Sequence, residues 1–235
     1  MANPVKIKAV VRDVIKHTDS IASYRFEPQG RVPKFRAGQF LHIALDEYHP
    51  DSQWPESRVF SIASSPSNRH DELEVTISVK GRFTERIFQT LEKGSECWLK
   101  LPYGEFVFPT GRHLTLIAGG VGITPYLSLM KQMLQEASGQ AVTLCYGVRS
   151  KKQYLFGDLI ARCEAELSGF RKIIWSEDGS VPGLKGGVDV DAIYNAVPSG
   201  SLFYLSGPPS MISSLRVRLY DLAVAVSRIR VDDWE

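Results

Sequence analysis

Cysteine is scarce in this sequence, and its placement excludes several kinds of site. Cys97, Cys145 and Cys163 lie far apart, with no CxxC pair and no dense cluster with histidine. Such spacing argues against a disulfide framework, a zinc site and an iron–sulfur cluster. The sequence therefore predicts three reduced, mostly buried thiols and no bound metal.

An excess of one charge and long apolar runs are also missing. The 28 Lys and Arg against 26 Asp and Glu give a net charge of +2, without a polybasic block, so nucleic acid is not an expected partner. No apolar run approaches the roughly 20 residues of a membrane span, and the first residues lack the apolar core of a signal peptide. We therefore expect a soluble protein of the cytoplasm without a membrane partner, and we also expect a monomer.

Up to about Pro109 the sequence is typical of short β-strands. Six segments are rich in Val, Ile, Phe and Tyr, at 5–18, 20–28, 39–45, 58–65, 72–80 and 96–104. Turn residues separate them at short intervals, which indicates an antiparallel barrel or sandwich. One helix is predicted over 83–94, where Gly94 stops it.

After Gly111 strands and helices alternate. The predicted strands are 113–120, 141–148, 171–177, 201–207 and 227–235, and the predicted helices between them are 124–137, 154–167, 189–197 and 209–223. Strict alternation indicates a parallel sheet covered by helices on both faces. We therefore predict two domains, residues 1–108 and 109–235.

The first strand of the second domain runs into glycines at 119–122. We expect Thr124 to cap the next helix and Pro125 to take its first position. Free N–H groups and the partial positive charge there suit a pyrophosphate. The run lacks the third glycine of the G-x-G-x-x-G fingerprint, and glycines also simply permit a tight turn, so both interpretations stay open.

The other strand ends of this domain support a nucleotide site. Ligands of open parallel sheets bind outside the carboxyl ends of the strands. Polar or glycine-rich residues follow three further strands, at 146–150, 176–178 and 206–209. Together the four strand ends predict a nucleotide cleft.

In the first domain, the strand at 58–65 carries an arginine and an aromatic residue. Alternation places Arg58 and Phe60 on one face, with Val59 and Ser61 on the other. Such a pair can hold a phosphate and stack on a flat ring; the alternative is an exposed arginine beside a core phenylalanine. Downstream, a glycine and a threonine at 81–84 precede the predicted helix and form a second potential anion site.

Taken together, separate stretches of the chain resemble the ferredoxin–NADP reductase superfamily of flavoprotein reductases. The family motifs and their counterparts are Arg-x-Tyr-Ser/Thr at 58–61, Gly-x-x-Ser/Thr at 81–84, Gly-Pro-Tyr-Gly-x-Phe at 101–106, Gly-Gly-x-Gly-Ile-x-Pro at 119–125, Tyr-Gly-x-Arg at 146–149 and Cys-Gly-Pro-x-x-Met at 206–211. Order and spacing agree across nearly the whole chain, and the combination is far more specific than any single match.

The resemblance implies a fold and a reaction. The fold is an N-terminal six-stranded antiparallel β-barrel that binds FAD, followed by a parallel α/β domain that binds NAD(P)H. The reaction is hydride transfer from the nicotinamide to the flavin N5, after which electrons pass, often singly, to an acceptor. The chain would thus be an NAD(P)H-dependent flavoprotein reductase.

The resemblance also implies flavin contacts. Arg58 would hold the phosphates, Phe60 would pack against the isoalloxazine or ribityl chain, and Ser61 would hydrogen-bond near N5 as a catalytic residue. The implied flavin-binding set is Arg58, Val59, Phe60, Ser61, Ile77, Val79, Lys80, Gly81, Arg82, Phe83 and Thr84.

On the nicotinamide side, Ser206 is the implied catalytic residue. The implied nucleotide-binding set is Gly120, Gly122, Thr124, Arg149, Ser206, Gly207, Pro208 and Met211. Many members cover the flavin with a C-terminal aromatic residue, which implies a catalytic and cofactor-binding role for Trp234. Alternatively, Trp234 plugs the domain interface or lies in a disordered terminus.

Three departures from the family pattern stand out. Phe60 replaces the usual tyrosine and loses its hydroxyl group. Ser206 replaces a cysteine; a lower rate is compatible with this change, but the reaction class survives because that cysteine is not a covalent nucleophile. The chain closes on "VDDWE" instead of tyrosine, and Asp232, Asp233 and Glu235 are equal candidates for a carboxylate near the flavin.

The choice of coenzyme depends on opposing charges at two strand ends. Arg149, Lys151 and Lys152 offer cations for the 2′-phosphate of NADPH. Glu177 and Asp178 would repel that phosphate and accept ribose hydroxyls instead. We therefore favour NADH and expect NAD(P)H in general.

Three hypotheses remain for the electron acceptor. The first is a separate one-electron carrier protein of the ferredoxin or flavodoxin type, because the chain lacks the cysteines of a fused iron–sulfur domain. The second is a free-flavin or ferric-chelate reductase, and the third is a non-turnover electron-transfer or flavin-binding subunit of a larger complex. A basic patch for an acidic carrier would draw on Lys6, Lys8, Arg12, Lys16, Arg31, Lys34 and Arg36, although scattered surface cations are the simpler interpretation.

Overall fold

The computed structural model describes residues 3–67 and 72–232. It divides into two compact units. The first is Met1–Val107 with Leu127–Leu129, and the second is Phe108–Tyr126 with Met130–Glu235. We retain the domain boundary between residues 108 and 109 as a prediction.

The first unit is a six-stranded antiparallel barrel with one helix. Its elements are β1 Val5–Thr18, β2 Ile21–Pro28, β3 Phe40–Ala44, β4 Ser57–Ser61, β5 Leu73–Ser78, α1 Arg82–Thr90 and β6 Glu96–Tyr103. The strand order is β4-β3-β6-β1-β2-β5, and an isolated bridge from Ile62 to Val75 brings the two edges of the sheet together. The predicted barrel is confirmed over the sandwich, since a single sheet curls until its edges meet.

Alternation along the strands builds the core of the barrel. On β1, for example, Ile7, Ala9 and Val11 are buried in the same apolar cluster. Helix α1 adds Phe83 and Ile87, which are one helical turn apart and therefore lie on one face of the helix. Both enter the barrel core, so α1 is anchored by its first two turns.

The second unit is the predicted parallel α/β fold. Its elements are β7 Leu114–Gly119, α2 Thr124–Gln135, β8 Val142–Val148, α3 Gly157–Glu166, β9 Phe170–Ser176, β10 Leu184–Lys185, α4 Val190–Ala196, β11 Leu202–Ser206, α5 Pro209–Asp221 and β12 Ile229–Val231. The strand order is β10-β9-β8-β7-β11-β12, and neighbouring strands are parallel. The central strand β7 is buried at every position, as its continuous apolar sequence predicts.

Two elements of this unit differ from the prediction. The sixth strand, β10, was missed because two residues inside a polar, glycine-rich loop carry no apolar pattern. Helix α3 begins at Gly157 and not at 154, because a 3₁₀ turn at Lys151–Gln153 and the left-handed Phe156, with φ 59°, precede it.

The three cysteines are buried, free thiols, as the sequence predicts. Cys97, Cys145 and Cys163 are buried and free, and burial raises the pKa of Cys97 to about 12 and that of Cys163 to about 11. Over the described ranges, no three or more His, Cys, Asp or Glu side chains are grouped to hold a metal ion. The helices found there are also too short or too polar to cross a membrane.

A partly buried hydrogen-bond chain ties the amino ends of three strands in the second unit. The Ser201 hydroxyl donates to the Pro198 carbonyl (2.6 Å), so the His113 Nδ1–H must donate to Ser201 Oγ (2.8 Å). His113 Nε2 then accepts from the Thr143 hydroxyl (3.1 Å). The lowered pKa of His113 favours the neutral imidazole, and in that form the proton is on Nδ1.

We predict that this histidine makes the fold sensitive to acid. Burial, and then the positive charge of Arg171, lower the pKa of His113 from the ordinary 6.5. Its stabilisation is complete above 6.5 and is lost as the pH falls from there towards the lowered value, because the unfolded chain takes up the proton first. Urea unfolding from about pH 7.5 to about pH 5 should show this decline, and His113→Gln should reduce its slope but not abolish it, because burial also lowers the pKa of His17 and of His42. An unchanged pH slope in the variant would refute the role of His113.

Candidate functional site

Strand β4 carries the arginine and aromatic residue of the predicted flavin site. Arg58 pairs with Ile43 and Phe60 pairs with Leu41 on β3, and both β3 residues are fully buried. Arg58 and Phe60 thus lie on the core side of the strand, and Phe60 packs against the core cluster. Ser61 lies on the opposite, outer face.

The Arg58 side chain reaches the first turn of α1. Its guanidinium carbon is 5.1 Å from the centroid of the Phe83 ring, and the side chain is 53% exposed. Nη1 donates to the Ser57 carbonyl and Nη2 to Glu56 Oε1, each at 2.9 Å. The fold therefore places a positioned, accessible guanidinium beside the segment 81–84.

The turn before α1 is organised by a threonine hydroxyl. Thr84 Oγ1 accepts from the backbone N–H of Lys80 (2.8 Å) and Gly81 (3.1 Å) and donates to the Gly81 carbonyl (2.8 Å). The first helical hydrogen bond runs from Glu85 N to Gly81 O. The N–H groups of residues 82–84 thus have no acceptor within the helix.

The space outside this turn is open. A Cβ built on Gly81 would meet no heavy atom within 4 Å. Helix N–H groups without an acceptor in the helix, open space at Gly81 and the neighbouring Arg58 guanidinium form a cradle with the chemistry of a pyrophosphate site. The residues present therefore fit the phosphates of a dinucleotide such as FAD.

The remaining predicted flavin residues lie around this cradle in different environments. Lys80 and Arg82 are exposed, and Val79 is half-buried. The side chains of Ile77 (1% exposed) and Phe83 (7% exposed) lie in the barrel core. Because the side chains of these two residues are buried, they would contact a ligand through their main-chain atoms. Their binding role stays a prediction.

In the turn after β7, Gly120 and Gly122 are glycine for two different physical reasons. Gly120 has φ 53°, in the left-handed region, and a Cβ there would meet nothing within 4 Å. Gly122 has no such room: its Cβ would lie 2.3 Å from the Ser206 carbonyl oxygen and 2.6 Å from Gly207 Cα. Conformation thus favours glycine at 120, and contact between two backbones requires it at 122.

The predicted N-cap at Thr124 is wrong. Residues Gly120–Ile123 form a 3₁₀ turn that continues directly into α2, and Thr124 already has helical angles, φ −57° and ψ −42°. An N-cap must be non-helical to turn its side chain back on the helix, and no side-chain cap is present at this terminus. Pro125 consequently takes the second helical position.

The end of β11 packs against the glycine run. Gly207 has φ 155°, and a Cβ there would lie 2.6 Å from Met211 Cε. A Cβ on Gly119 would lie 2.6 Å from Met211 Sδ and 3.0 Å from Pro208 Cδ. Met211 therefore fills the space that these glycines leave, and its side chain is packed against the turn.

Ser206 has a partner that sequence reasoning did not single out. Its hydroxyl donates to Asp232 Oδ2 at 2.8 Å, and the Asp232 N–H donates to the Leu205 carbonyl at 2.9 Å. Ser206 is only 3% exposed. The partners are 26 residues apart, so no local pattern could pair them.

Trp234 belongs to the last three residues of the "VDDWE" segment. Asp233, Trp234 and Glu235 lie outside the described residues. The role of Trp234 as a catalytic and cofactor-binding residue therefore stays a prediction.

The carboxylate of Asp178 accepts hydrogen bonds from residues of its own loop. It accepts from the Ser176 hydroxyl (2.8 Å) and the Ser180 N–H (2.9 Å), and hydrogen bonds led by Ser180 lower the pKa of Asp178. The Asp178 N–H donates to the Arg149 carbonyl. The side chain is thus positioned by local structure, and the lowered pKa keeps it ionised at neutral pH, so it retains the negative charge that would repel a 2′-phosphate.

We predict that Gly122→Ala destabilises the second unit. The added methyl group overlaps the Ser206 carbonyl, and backbone cannot move aside as a flexible side chain can. We expect a loss of about 3 kcal/mol in the free energy of unfolding, measured by urea titration. Gly139→Ala is the matched control, because a Cβ at Gly139 meets nothing within 4 Å. Equal stability of the two variants would contradict the close contact.

Comparisons with known proteins agree with this architecture. Residues 116–216 match the family model "Oxidoreductase NAD-binding domain". The reductase component of propane 2-monooxygenase from Mycolicibacterium smegmatis is 31% identical over 224 residues, covering 88% of this chain and 62% of that protein. A flavohemoprotein of Deinococcus radiodurans is 28% identical over 219 residues, covering 88% of this chain and 54% of that protein. The chain therefore spans somewhat more than half the length of these curated relatives.

Solved structures share the fold along nearly the whole chain. The FAD/NAD-binding domain of nitric oxide dioxygenase from Vibrio cholerae superposes with a TM-score of 0.83 at 23% identity, covering 96% of this chain and 97% of that one. A ferredoxin NADP+ reductase from Neisseria gonorrhoeae, solved with bound FAD and NADP, has a TM-score of 0.78 at 22% identity and full coverage of both chains (100% each). At these identities the likeness establishes the arrangement of strands and helices.

Proposed function

Because the chain belongs to the ferredoxin–NADP reductase superfamily, we propose that it binds FAD and NAD(P)H and passes electrons to a separate acceptor. The observation that carries this proposal is the open cradle at residues 81–84 with the Arg58 guanidinium beside it. The chain would hold FAD at this cradle, and the bound flavin would supply the chemistry of taking up a hydride from the nicotinamide and passing on its electrons.

In the first unit, the chain's own groups would bind and orient the dinucleotide. Arg58 and the N–H groups of residues 82–84 would neutralise and hold the phosphates. Phe60 would pack against the flavin or its ribityl chain, and its position beside the core limits its motion. Ser61, on the outer face of β4, would hydrogen-bond near N5.

In the second unit, the ends of β7 and β11 would hold the nicotinamide nucleotide. Gly120 has no side chain, and no atom lies within 4 Å of the place where its Cβ would be, so the turn is open there. The Ser206 proton lies in the hydrogen bond to Asp232, so Ser206 Oγ presents only lone pairs to other partners. Gly207, Pro208 and Met211 would line the same end, as the resemblance implies.

Similar proteins that serve as reductase components of oxygenases support the proposal of a separate protein as electron acceptor. Propane 2-monooxygenase from Mycolicibacterium smegmatis and terephthalate 1,2-dioxygenase from Comamonas each have a reductase component similar to this chain. We propose by analogy that an electron-carrier or oxygenase-type protein receives the electrons here. A free-flavin or ferric-chelate reductase and a non-turnover subunit are the alternatives that the next experiment separates.

We predict that the purified protein is yellow, releases FAD on denaturation, and bleaches anaerobically when NADH or NADPH is added. A colourless protein that reduces added riboflavin would establish the free-flavin alternative, and a flavoprotein that neither coenzyme bleaches would establish the non-turnover one. Arg58→Ala should weaken FAD binding about tenfold, because a charged hydrogen bond to phosphate is lost.

The control for that variant is Arg12→Ala, which removes an exposed arginine from β1. Its FAD content should equal that of the unmodified protein. Equal FAD affinity in the Arg58→Ala and Arg12→Ala variants would contradict the proposed role of Arg58.

The structure also bears on the choice of coenzyme. Arg149, Lys151 and Lys152 are exposed, and none is ion-paired with a carboxylate in the part of the chain that the structure describes. These three cations can offset the negative charges of Glu177 and Asp178 at a 2′-phosphate. We therefore propose that NADPH is accepted as well as NADH.

We predict that Arg149→Ala raises KM for NADPH about tenfold and leaves KM for NADH nearly unchanged, because only NADPH carries the 2′-phosphate. Steady-state kinetics with both coenzymes test this. Arg216→Ala, which removes an exposed arginine from α5, should change neither constant. A parallel rise for both coenzymes would mean that Arg149 binds a part that they share.

A further inference from the structure

A glutamate carboxylate lies beside the arginine of the phosphate cradle. Glu56 Oε1 accepts a hydrogen bond from Arg58 Nη2 at 2.9 Å, and the two side chains form an ion pair in which both are more than half exposed (59% and 53%). Glu56 is the last residue before β4, and Arg58 is the second residue of that strand. A negative charge therefore lies next to the cation that is proposed to hold the phosphates of FAD.

A second observation places the charge of Glu56 near helix α1. Hydrogen bonding to Asp46 is the main cause that raises the pKa of Arg86 on α1, and the negative charge of Glu56 adds to it. The Arg58 guanidinium carbon lies 5.1 Å from the ring centre of Phe83, in the first turn of the same helix. Glu56 therefore lies close to the helix that carries the cradle.

The second arginine of this region is already paired. Arg86 donates to both carboxylate oxygens of Asp46, with Nη1 3.0 Å from Oδ2. Asp46 and Glu56 lie at the two ends of the loop that joins β3 to β4. Two carboxylates and two guanidinium groups thus form two ion pairs at the base of this loop, and neither arginine presents its full positive charge to a ligand.

Aromatic packing anchors the loop that carries Glu56. Trp54 Nε1 donates to the Ser57 hydroxyl at 2.9 Å, and the Trp54 ring centre lies 5.4 Å from that of Tyr48. Tyr48 is buried. Because the chain is anchored just before and just after Glu56, the carboxylate of this residue is kept near Arg58.

The hydrogen bond from Glu56 is not required to orient Arg58. A guanidinium group has five N–H donors. Arg58 uses one for the Ser57 carbonyl and one for Glu56, which leaves three for a phosphate. The Ser57 carbonyl and the Phe83 ring also position the guanidinium, so Glu56 contributes chiefly its charge. That charge has the same sign as a pyrophosphate and repels it.

We infer that Glu56 is a specificity-determining residue that limits the affinity of the cradle for a phosphate-bearing flavin. The inference rests on the proposed function and adds the residue that sets how strongly the site prefers FAD to riboflavin, which has no phosphate. An exposed ion pair contributes little to protein stability, so the loss of this pair should be seen in ligand binding and not in folding.

The test compares the dissociation constants of FAD and riboflavin, measured by flavin fluorescence on the full chain after dialysis has removed its flavin. Glu56→Gln keeps a hydrogen-bond acceptor for Arg58 and removes the charge. It should bind FAD about three- to tenfold more tightly at low ionic strength, because a like charge beside the phosphates is gone. Its affinity for riboflavin should be unchanged, and the gain for FAD should shrink in about 0.5 M salt.

Two further variants serve as controls. Glu56→Asp keeps the charge and should leave the affinity for FAD nearly unchanged. Asp19→Asn removes an exposed carboxylate from the turn between β1 and β2, which changes the net charge as Glu56→Gln does. It should alter the dissociation constant of neither flavin. The urea midpoint of unfolding should be the same in all these variants.

Several outcomes would overturn the inference. One is an affinity for FAD that is equal or weaker in Glu56→Gln, since the carboxylate would then be indifferent or would orient Arg58. Equal tightening for FAD and riboflavin would show that the charge does not act on the phosphates, and an equal gain in Asp19→Asn would reduce the effect to net charge. If the unmodified protein binds no FAD, the proposed function fails together with the inference. If it binds FAD that neither coenzyme reduces, only the reductase function is wrong.

Discussion

The contact of Gly122 with the backbone of Ser206 and Gly207 is the constraint on which the second unit depends. A Cβ at Gly122 would lie 2.3 Å from the Ser206 carbonyl oxygen, so the turn after β7 and the end of β11 are in direct backbone contact. Met211 fills the remaining space against Gly119 and Gly207. Because close-packed backbone has no freedom to shift, these two strand ends keep one geometry, and the hydroxyl of Ser206 stays where Asp232 can hold its proton.

Glycine serves the opposite purpose in the first unit. At Gly81 no atom approaches within 4 Å of an added Cβ, and Thr84 fixes the turn from the inner side. The missing side chain there leaves room for a ligand instead of a neighbouring strand. The Arg58 guanidinium completes the cradle, although it belongs to a strand that ends 20 residues before the turn. The same residue type thus makes a rigid contact in one unit and an open binding surface in the other.

The charged side chains of the two units differ in whether they have partners within the chain. Asp178 and Asp232 accept hydrogen bonds from their own unit, so they contribute to the architecture of the strand ends. Lys8 is paired with two glutamates, whereas Lys6 and Lys100 lie beside aromatic rings. The chain is nearly neutral as a whole, with a net charge of +2. The local pairing of charged side chains therefore decides which parts of its surface can attract a charged molecule.

The sequence by itself determined the sequence of strands and helices, the antiparallel and parallel halves, and the family motifs, because these depend on patterns within about ten residues. It did not predict the two-residue strand β10, the 3₁₀ entry that removes Thr124 from the cap, or the pairing of Ser206 with Asp232. It also left open why each glycine of the run is required. Only the tertiary structure decided these points, since each depends on contacts between segments of the folded chain, which no local sequence pattern encodes.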